Sequence, residues 1–127
     1  GICMKTAITP MISIKGDEKA IRSLITILLD NAVKYTNERG RIDVTLGKKK
    51  NRIYLSVFNT TEYISKEQTS RLFDRFYRTD ISRNSQTGGY GLGLSIAAAT
   101  ADSHKGKIMA ETEDEKSLRI TVTFPGQ

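Results

Sequence analysis

Between residues 18 and 35 the apolar positions recur at helical spacing. Ile21, Leu24, Ile25, Leu28 and Ala32 form an i, i+3, i+4, i+7 stripe, which predicts an amphipathic helix from an N-cap at Asp17 to about Tyr35. Asn37 and Gly40 supply its stop. Upstream, Met11 to Ile14 alternates apolar with polar and reads as a short first strand, broken at Gly16-Asp17. Downstream the period changes to two. Ile42, Val44 and Leu46, then Ile53, Leu55 and Val57, predict strands over Arg41–Gly47 and Arg52–Phe58, paired as a hairpin through Lys48-Lys49-Lys50. The three lysines read as a solvated hairpin tip.

Alternation is lost from residue 60 to residue 90. A short helical pattern covers Lys66 to Phe76, and a Ser/Arg/Asn/Gln/Thr/Gly stretch follows from Ser82 to Gly89. A polar connection of that length inside a small domain is usually functional, often a lid. A helix is expected from about Leu92 to His104, then strands over Lys107–Thr112 and Leu118–Phe124 around the acidic turn Glu113-Asp114-Glu115, with Pro125 as the stop. Strand, helix, hairpin, lid, helix, hairpin is the order of an α+β fold. We expect a two-layer α/β sandwich, a mixed but mostly antiparallel sheet of about five strands with about three helices on one face.

Length fits one domain over residues 1–127, with the lid at about 60–90. No apolar run approaches the roughly 20 residues that span a bilayer. The chain opens on Gly1, so we read its start as a cut, compatible with a membrane segment upstream. Cys3 is the single cysteine, which excludes an internal disulfide and suits a reducing compartment. One histidine, His104, leaves no His-rich metal cluster. Lys and Arg number 20 against 14 Asp and Glu, a net charge of +6. That balance suits phosphates, nucleic acid or an acidic partner, but the Tyr and Phe residues are scattered and form no stacking platform.

Chemistry concentrates in Gly88-Gly89-Tyr90-Gly91-Leu92-Gly93-Leu94, which places four glycines in six residues just before an Ala-rich helix. Glycine permits close backbone approach to a ligand, and a helix N-terminus behind it offers free N–H groups to an anion. On the first helix, Asn31 and Lys34 project with Ile27 away from the core stripe. An Asn oxygen there suits Mg²⁺, and a Lys beside it suits phosphate oxygens.

Three segments occur in order: Asn31-Ala32-Val33-Lys34-Tyr35, Leu72-Phe73-Asp74-Arg75-Phe76-Tyr77-Arg78, and Gly89-Tyr90-Gly91-Leu92-Gly93-Leu94. The set resembles the N box, F box and second glycine box of the catalytic ATP-binding domain of sensor histidine kinases. That family belongs to the wider superfamily of gyrase, Hsp90 and MutL, whose architecture is the Bergerat-type ATP-binding fold. The likeness covers about residues 11–125, with Asp80, Ser82, Arg83, His104 and Gly106 adding to it. The resemblance implies ATP and Mg²⁺ as ligands. It puts Asn31 on the metal, Lys34 and Arg78 on phosphates as the catalytic cations, and Tyr35 near the ribose and phosphates. It adds Asn59 and Ile64 to the nucleotide-binding residues. Gly89, Gly91 and Gly93 would shape the far hinge of the lid, with the N–H groups around Leu92 to Leu94 on phosphate oxygens. Phe73 and Phe76 are expected to anchor the lid helix.

The same resemblance implies a histidine acceptor on a separate dimerisation domain upstream, a response regulator as partner, and no nucleic acid. The full-length protein would be a homodimer, and this piece would be the cytoplasmic part of a membrane-anchored sensor. His104 is not the acceptor we expect. The family's acceptor is followed by an acidic residue on another helix, whereas His104 precedes Lys105 at a helix end, where a cation favours the dipole.

Two positions depart from the family pattern. The first glycine box would carry an Asp that reads the adenine amine, yet here Asn59 is followed by Thr60-Thr61-Glu62-Tyr63-Ile64. A neutral amide oxygen still accepts from an amine, without the strength of a carboxylate. One turn before Asn31, where many members carry a polar residue, stands Ile27. These departures motivate a rival, a kinase-like interaction module with weakened nucleotide binding. A nucleic-acid-binding domain rests only on the +6 charge and the lysine turn. A serine-phosphorylating anti-sigma-factor kinase fits the superfamily, but Arg75-Phe76-Tyr77-Arg78 favours a sensor kinase.

Overall fold

A computed structural model of the chain describes residues 3–8 and 18 by their backbone, and residues 19–37, 39–73 and 93–125 in full. The elements are β1 (Cys3–Ile8), α1 (Glu18–Tyr35), β2 (Arg41–Lys49), β3 (Arg52–Thr60), α2 (Lys66–Arg71), α3 (Gly93–Ser103), β4 (Lys107–Glu111) and β5 (Ser117–Pro125). They build one five-stranded sheet in the order β1-β2-β3-β5-β4. Four of the strands pair antiparallel, and β1 adds to β2 in parallel, from Cys3 opposite Arg41 to Ile8 opposite Leu46. The expected α+β sandwich is therefore the observed fold.

Strand β1 was not foreseen. Cys3-Met4-Lys5-Thr6-Ala7-Ile8 shows no clean alternation, and its pairing depends on the crossover through α1 rather than on a local turn. The strand expected at Met11–Ile14 and the cap at Asp17 lie outside the described residues. Strands β2, β3 and β5 run slightly beyond their predicted ends, to Lys49, Thr60 and Pro125, whereas β4 stops at Glu111, one residue short. The lysine turn closes as expected: Lys50 and Asn51 both have positive φ (51° and 64°), and Lys49 pairs with Arg52. That is the two-residue turn whose twist matches a hairpin.

Alternation explains the core. On one face of the sheet, Val44, Val57 and Ile120 line up in register, as do Leu55 and Val122, and Ile53 and Phe124. Leu24, Leu28 and Ala32 of α1, with Ala97 and Ala101 of α3, are buried against this face. Truncating Leu24 or Leu28 to Ala would cost about 2–5 kcal/mol. Ile21 and Ile25 flank the stripe half-buried. Ile27 corrects the expectation made for it. Rather than projecting away from the core stripe, it packs on the core beside α3, where a methyl added to Gly93 would stand 3.6 Å from its Cγ2.

Helix α2 begins with a full capping box. Gln68 N–H donates to Ser65 Oγ (3.0 Å), and Ser65 N–H donates to Gln68 Oε1 (2.8 Å). It ends at Arg71, short of the predicted Phe76, and residues 74–76 lie outside the described set. Leu72 is buried and Phe73 packs against the core. Helix α3 closes with Gly106 N–H and His104 N–H both on Ala101 O (2.8 and 3.1 Å) and Lys105 N–H on Asp102 O (3.0 Å). Lys105 takes the left-handed position (φ 60°). Gly106 is required next because a Cβ there would sit 2.4 Å from the Thr123 carbonyl. His104 Nδ1 lies 2.8 Å from the Thr100 carbonyl, and its ring meets Phe124 edge-on.

The opposite face of the sheet carries Phe58 between two guanidinium groups. Arg41 lies 5.0 Å and Arg119 lies 5.1 Å from the ring centroid. Arg119 also donates to Ser56 Oγ (2.7 Å), and Arg41 pairs with Asp43 (3.0 Å). Met109 on the same face is 56% exposed.

Candidate nucleotide site

The cleft of interest opens where the end of α1 approaches the end of β3. Two links fix that approach. Thr60 Oγ1 donates to Asn37 Oδ1 (2.7 Å), and Arg41 N–H donates to Thr60 Oγ1 (2.8 Å). Gly40 sits inside this knot, where a Cβ would fall within 2.5 Å of the Thr36, Asn37 and Thr60 side-chain oxygens. Asn31 and Tyr35 are thereby held across from Asn59.

A third connection comes from the acidic turn. Thr61 N–H donates to Lys116 O (2.9 Å), and Ile64 N–H donates to Glu115 O (2.8 Å). The turn is braced in its own right, with Glu115 N–H on Thr112 Oγ1 (2.9 Å). Asp114 Oδ1 accepts from Lys116 N–H (2.9 Å) and from the Ser117 hydroxyl (2.8 Å). These donors, the Lys116 N–H foremost, hold the Asp114 carboxyl below its ordinary range. Residues 61–73, the first part of the expected lid, are thus fixed to the sheet. Residues 74–92 lie outside the described set.

Asn31, Tyr35, Asn59, Thr61, Tyr63, Ile64, Leu72 and Leu118 line the resulting cleft, of about 330 Å³ with its open mouth included. Ile64, Leu72 and Leu118 make apolar walls. Asn59 is 1% exposed and gives its amide N–H to the Thr60 carbonyl (3.1 Å). A carbonyl accepts only a donor, so this bond sets the amide orientation and leaves the Asn59 oxygen as an acceptor for the cleft. Tyr63 stands at the mouth, 57% exposed, its hydroxyl donating to Glu115 Oε2 (3.2 Å). The Glu115 carboxylate raises the phenol's pKa above its ordinary value, first through that bond and then through its charge.

Of the residues expected to bind nucleotide, Asn31, Tyr35, Asn59 and Ile64 therefore share one cavity. Lys34 lies outside its lining, with Nζ 5.9 Å from the Tyr35 ring centroid. Gly93 and Leu94 open α3 and do not line it, Gly93 lying beside Ile27. Arg78, Gly89, Gly91 and Leu92 lie outside the described residues. Thr61, Tyr63, Leu72 and Leu118 were not foreseen as lining residues. Alternation could have found Leu118, which stands opposite Asn59 in the register. Tyr63, an aromatic in a polar loop beside Ile64, also carried a signal.

Residues 16–127 match the family described as histidine kinase-, DNA gyrase B-, and HSP90-like ATPase. The chain belongs to that family.

Within this ATPase family, it is 41% identical over 114 residues to the sensor histidine kinase YkoH of Bacillus subtilis (strain 168), covering 90% of this chain and 25% of that protein. It is 42% identical over 119 residues to the sensor protein CiaH of Streptococcus pneumoniae serotype 4 (strain ATCC BAA-334 / TIGR4), covering 91% of this chain and 27% of that one. The chain spans about a quarter of the length of these relatives. Its fold is that of the mycobacterial sensor histidine kinase MprB, with a TM-score of 0.86 at 24% identity over 99% of this chain and 84% of that one. Full-length ShkA, solved in complex with AMPPNP, aligns with a TM-score of 0.82 at 26% identity over 99% of this chain and 26% of that one. As a family member the chain carries the ATP-binding domain of histidine kinases. Among the described residues, no helix is long and apolar enough to cross a membrane.

Proposed function

We propose that this chain binds ATP·Mg²⁺ and, within a longer sensor kinase, passes the γ-phosphate to a histidine on an upstream dimerisation domain. In that step the bond between the γ-phosphorus and its bridging oxygen breaks, a phosphorus–nitrogen bond forms on imidazole, and ADP leaves. The observation that carries the reading is the convergence of Asn31 and Tyr35 from α1 with Asn59 and Ile64 in one cleft.

The cleft fits the ligand's parts unequally. Its apolar walls suit the face of a purine, and the Asn59 oxygen suits an exocyclic amine. The triphosphate would extend beyond it. Lys34, Arg78, the glycines Gly89, Gly91 and Gly93, and the N–H groups of Leu92 to Leu94 would hold the phosphates there by charge and backbone donation. Among the described residues no three His, Cys, Asp or Glu side chains converge, so Mg²⁺ would depend on the Asn31 oxygen together with phosphate oxygens. Bound there, the ion would neutralise charge on the transferring group. By the same reading the full-length protein is a membrane-anchored homodimer, this domain is cytoplasmic, and a response regulator receives the phosphate; nucleic acid has no part in it.

Isothermal titration with ATP·Mg²⁺ tests the binding half. Saturable binding lost in Asn31→Ala supports it, and no heat at millimolar ATP refutes it. The transfer half needs the upstream region restored and label followed from γ-labelled ATP. Ile27 favours a second reading, a kinase-like module that binds nucleotide without efficient transfer. An apolar side chain packed on the core, one turn before Asn31, neither ligates a metal nor polarises an acceptor. Label on the histidine would exclude that reading.

A further inference from the structure

We propose that Tyr63 stacks on the purine at the mouth of the cleft and that Glu115 is the positioning residue that orients it. This rests on the adenine-nucleotide reading above and adds a base-binding residue to it. Tyr63 borders the cavity together with Ile64, Leu72 and Leu118, yet those walls are buried and Tyr63 is more than half exposed. Among the described residues the ring stacks on no other aromatic. It is nevertheless not loose, because its backbone is pinned on both sides. Thr61 and Ile64 both donate their N–H groups to the β4–β5 turn.

The ring's far end is held by the same turn through Glu115 Oε2. Glu115 has φ of +62°. A non-glycine residue in that region persists only where its surroundings fix it, and Gly or Asn would adopt it more cheaply. Two anchors fix this one, the N–H bond to Thr112 and the carbonyl bond from Ile64. The outcome is a carboxylate aimed at the Tyr63 phenol. A flat ring, oriented in advance and more than half exposed, at the open end of an apolar-walled cleft, is arranged to cover a base. Asn59 would read the inner edge of the base, while Tyr63 shields its outer part from water.

Stacking acts on the base and is indifferent to the phosphates, and this gives the test. ATP, ADP and adenosine are titrated into the 127-residue chain by calorimetry, and into its Tyr63→Ala, Tyr63→Phe, Glu115→Gln and Glu115→Ala variants. Tyr63→Ala should weaken all three ligands by the same factor, roughly tenfold. Tyr63→Phe, which keeps the ring, should recover most of that loss. Glu115→Gln keeps an acceptor and should bind like the parent, whereas Glu115→Ala should weaken binding as Tyr63→Phe does. The Tyr63 ring protons should also shift upfield when adenosine is added, which a purely structural role would not produce. If the parent binds ATP and Tyr63→Ala binds it equally well, the stacking role is wrong and the nucleotide reading stands. If the parent binds none of the three, the nucleotide reading itself fails.

Discussion

Thr60 donates its hydroxyl to Asn37 across 2.7 Å, and that bond ties the exit of α1 to the end of β3. Both sides of the cleft depend on it, since Asn31 and Tyr35 precede it on the helix and Asn59 precedes it on the strand. Gly40→Ala would drive a methyl into this knot. The expected cost is about 1–3 kcal/mol in urea denaturation, accompanied by weaker ATP binding. An alanine variant as stable as the parent would show that the knot yields freely.

The orientation of Asn59 makes a statement about base choice. In the proposed binding mode its oxygen would face a donor amine in adenine but an acceptor oxygen in guanine. ATP should bind at least about tenfold more tightly than GTP, the equivalent of roughly 1.4 kcal/mol. Asn59→Leu should cost ATP about that factor and bring the two nucleotides level. Competition of GTP against a fluorescent ATP analogue measures both quantities.

Gly106 marks a place where backbone meets backbone. The Thr123 carbonyl, 2.4 Å from a would-be Cβ, belongs to a central strand and has little room to retreat. Gly106→Ala should lower stability by about 1–3 kcal/mol and leave base selectivity unchanged, since the cleft is lined by other residues. Thermal melts beside an ATP/GTP comparison would separate the two effects.

Acid should loosen the β4–β5 turn through Asp114. Its carboxyl titrates below the ordinary value of 3.8 because Lys116 N–H and the Ser117 hydroxyl donate to the ionised form. A depressed folded-state pKa stabilises the fold at pH above the unfolded value, and this contribution is lost as pH falls through the folded value. The Lys116 amide, followed by NMR on acidification, should therefore show a midpoint below 3.8, and Asp114→Ala should abolish the step. A midpoint at or above that value would contradict the hydrogen-bonding account.

Alternation and helical periodicity made most of the sheet and α1 legible, because the apolar side chains of β2, β3 and β5 that enter the core lie on one face and α1 buries one stripe. Strand β1 lay beyond such reasoning. A parallel partner is chosen by a distant crossover, and the Cys3–Ile8 segment has no two-residue rhythm of its own. At the site, Asn31, Tyr35, Asn59 and Ile64 could be nominated from motif order, and they do meet. Ile27 could not be placed correctly from helix geometry alone, since the neighbour that covers it, α3, arrives from a remote part of the chain. The acidic turn read as a plain connection because its contacts with Thr61, Tyr63 and Ile64 cross about fifty residues of sequence.

The Arg41–Phe58–Arg119 stack bears on how this domain behaves in a crowded solution. A sheet with one uncovered side tends to adhere to others like it, and an aromatic at its middle would be the point of adhesion. Here that point is capped by two permanent cations, on a face where Arg41, Lys49, Arg52, Lys107 and Arg119 outnumber Asp43 and Glu111. Copies meeting face to face would repel before they could stick, and salt would weaken that protection.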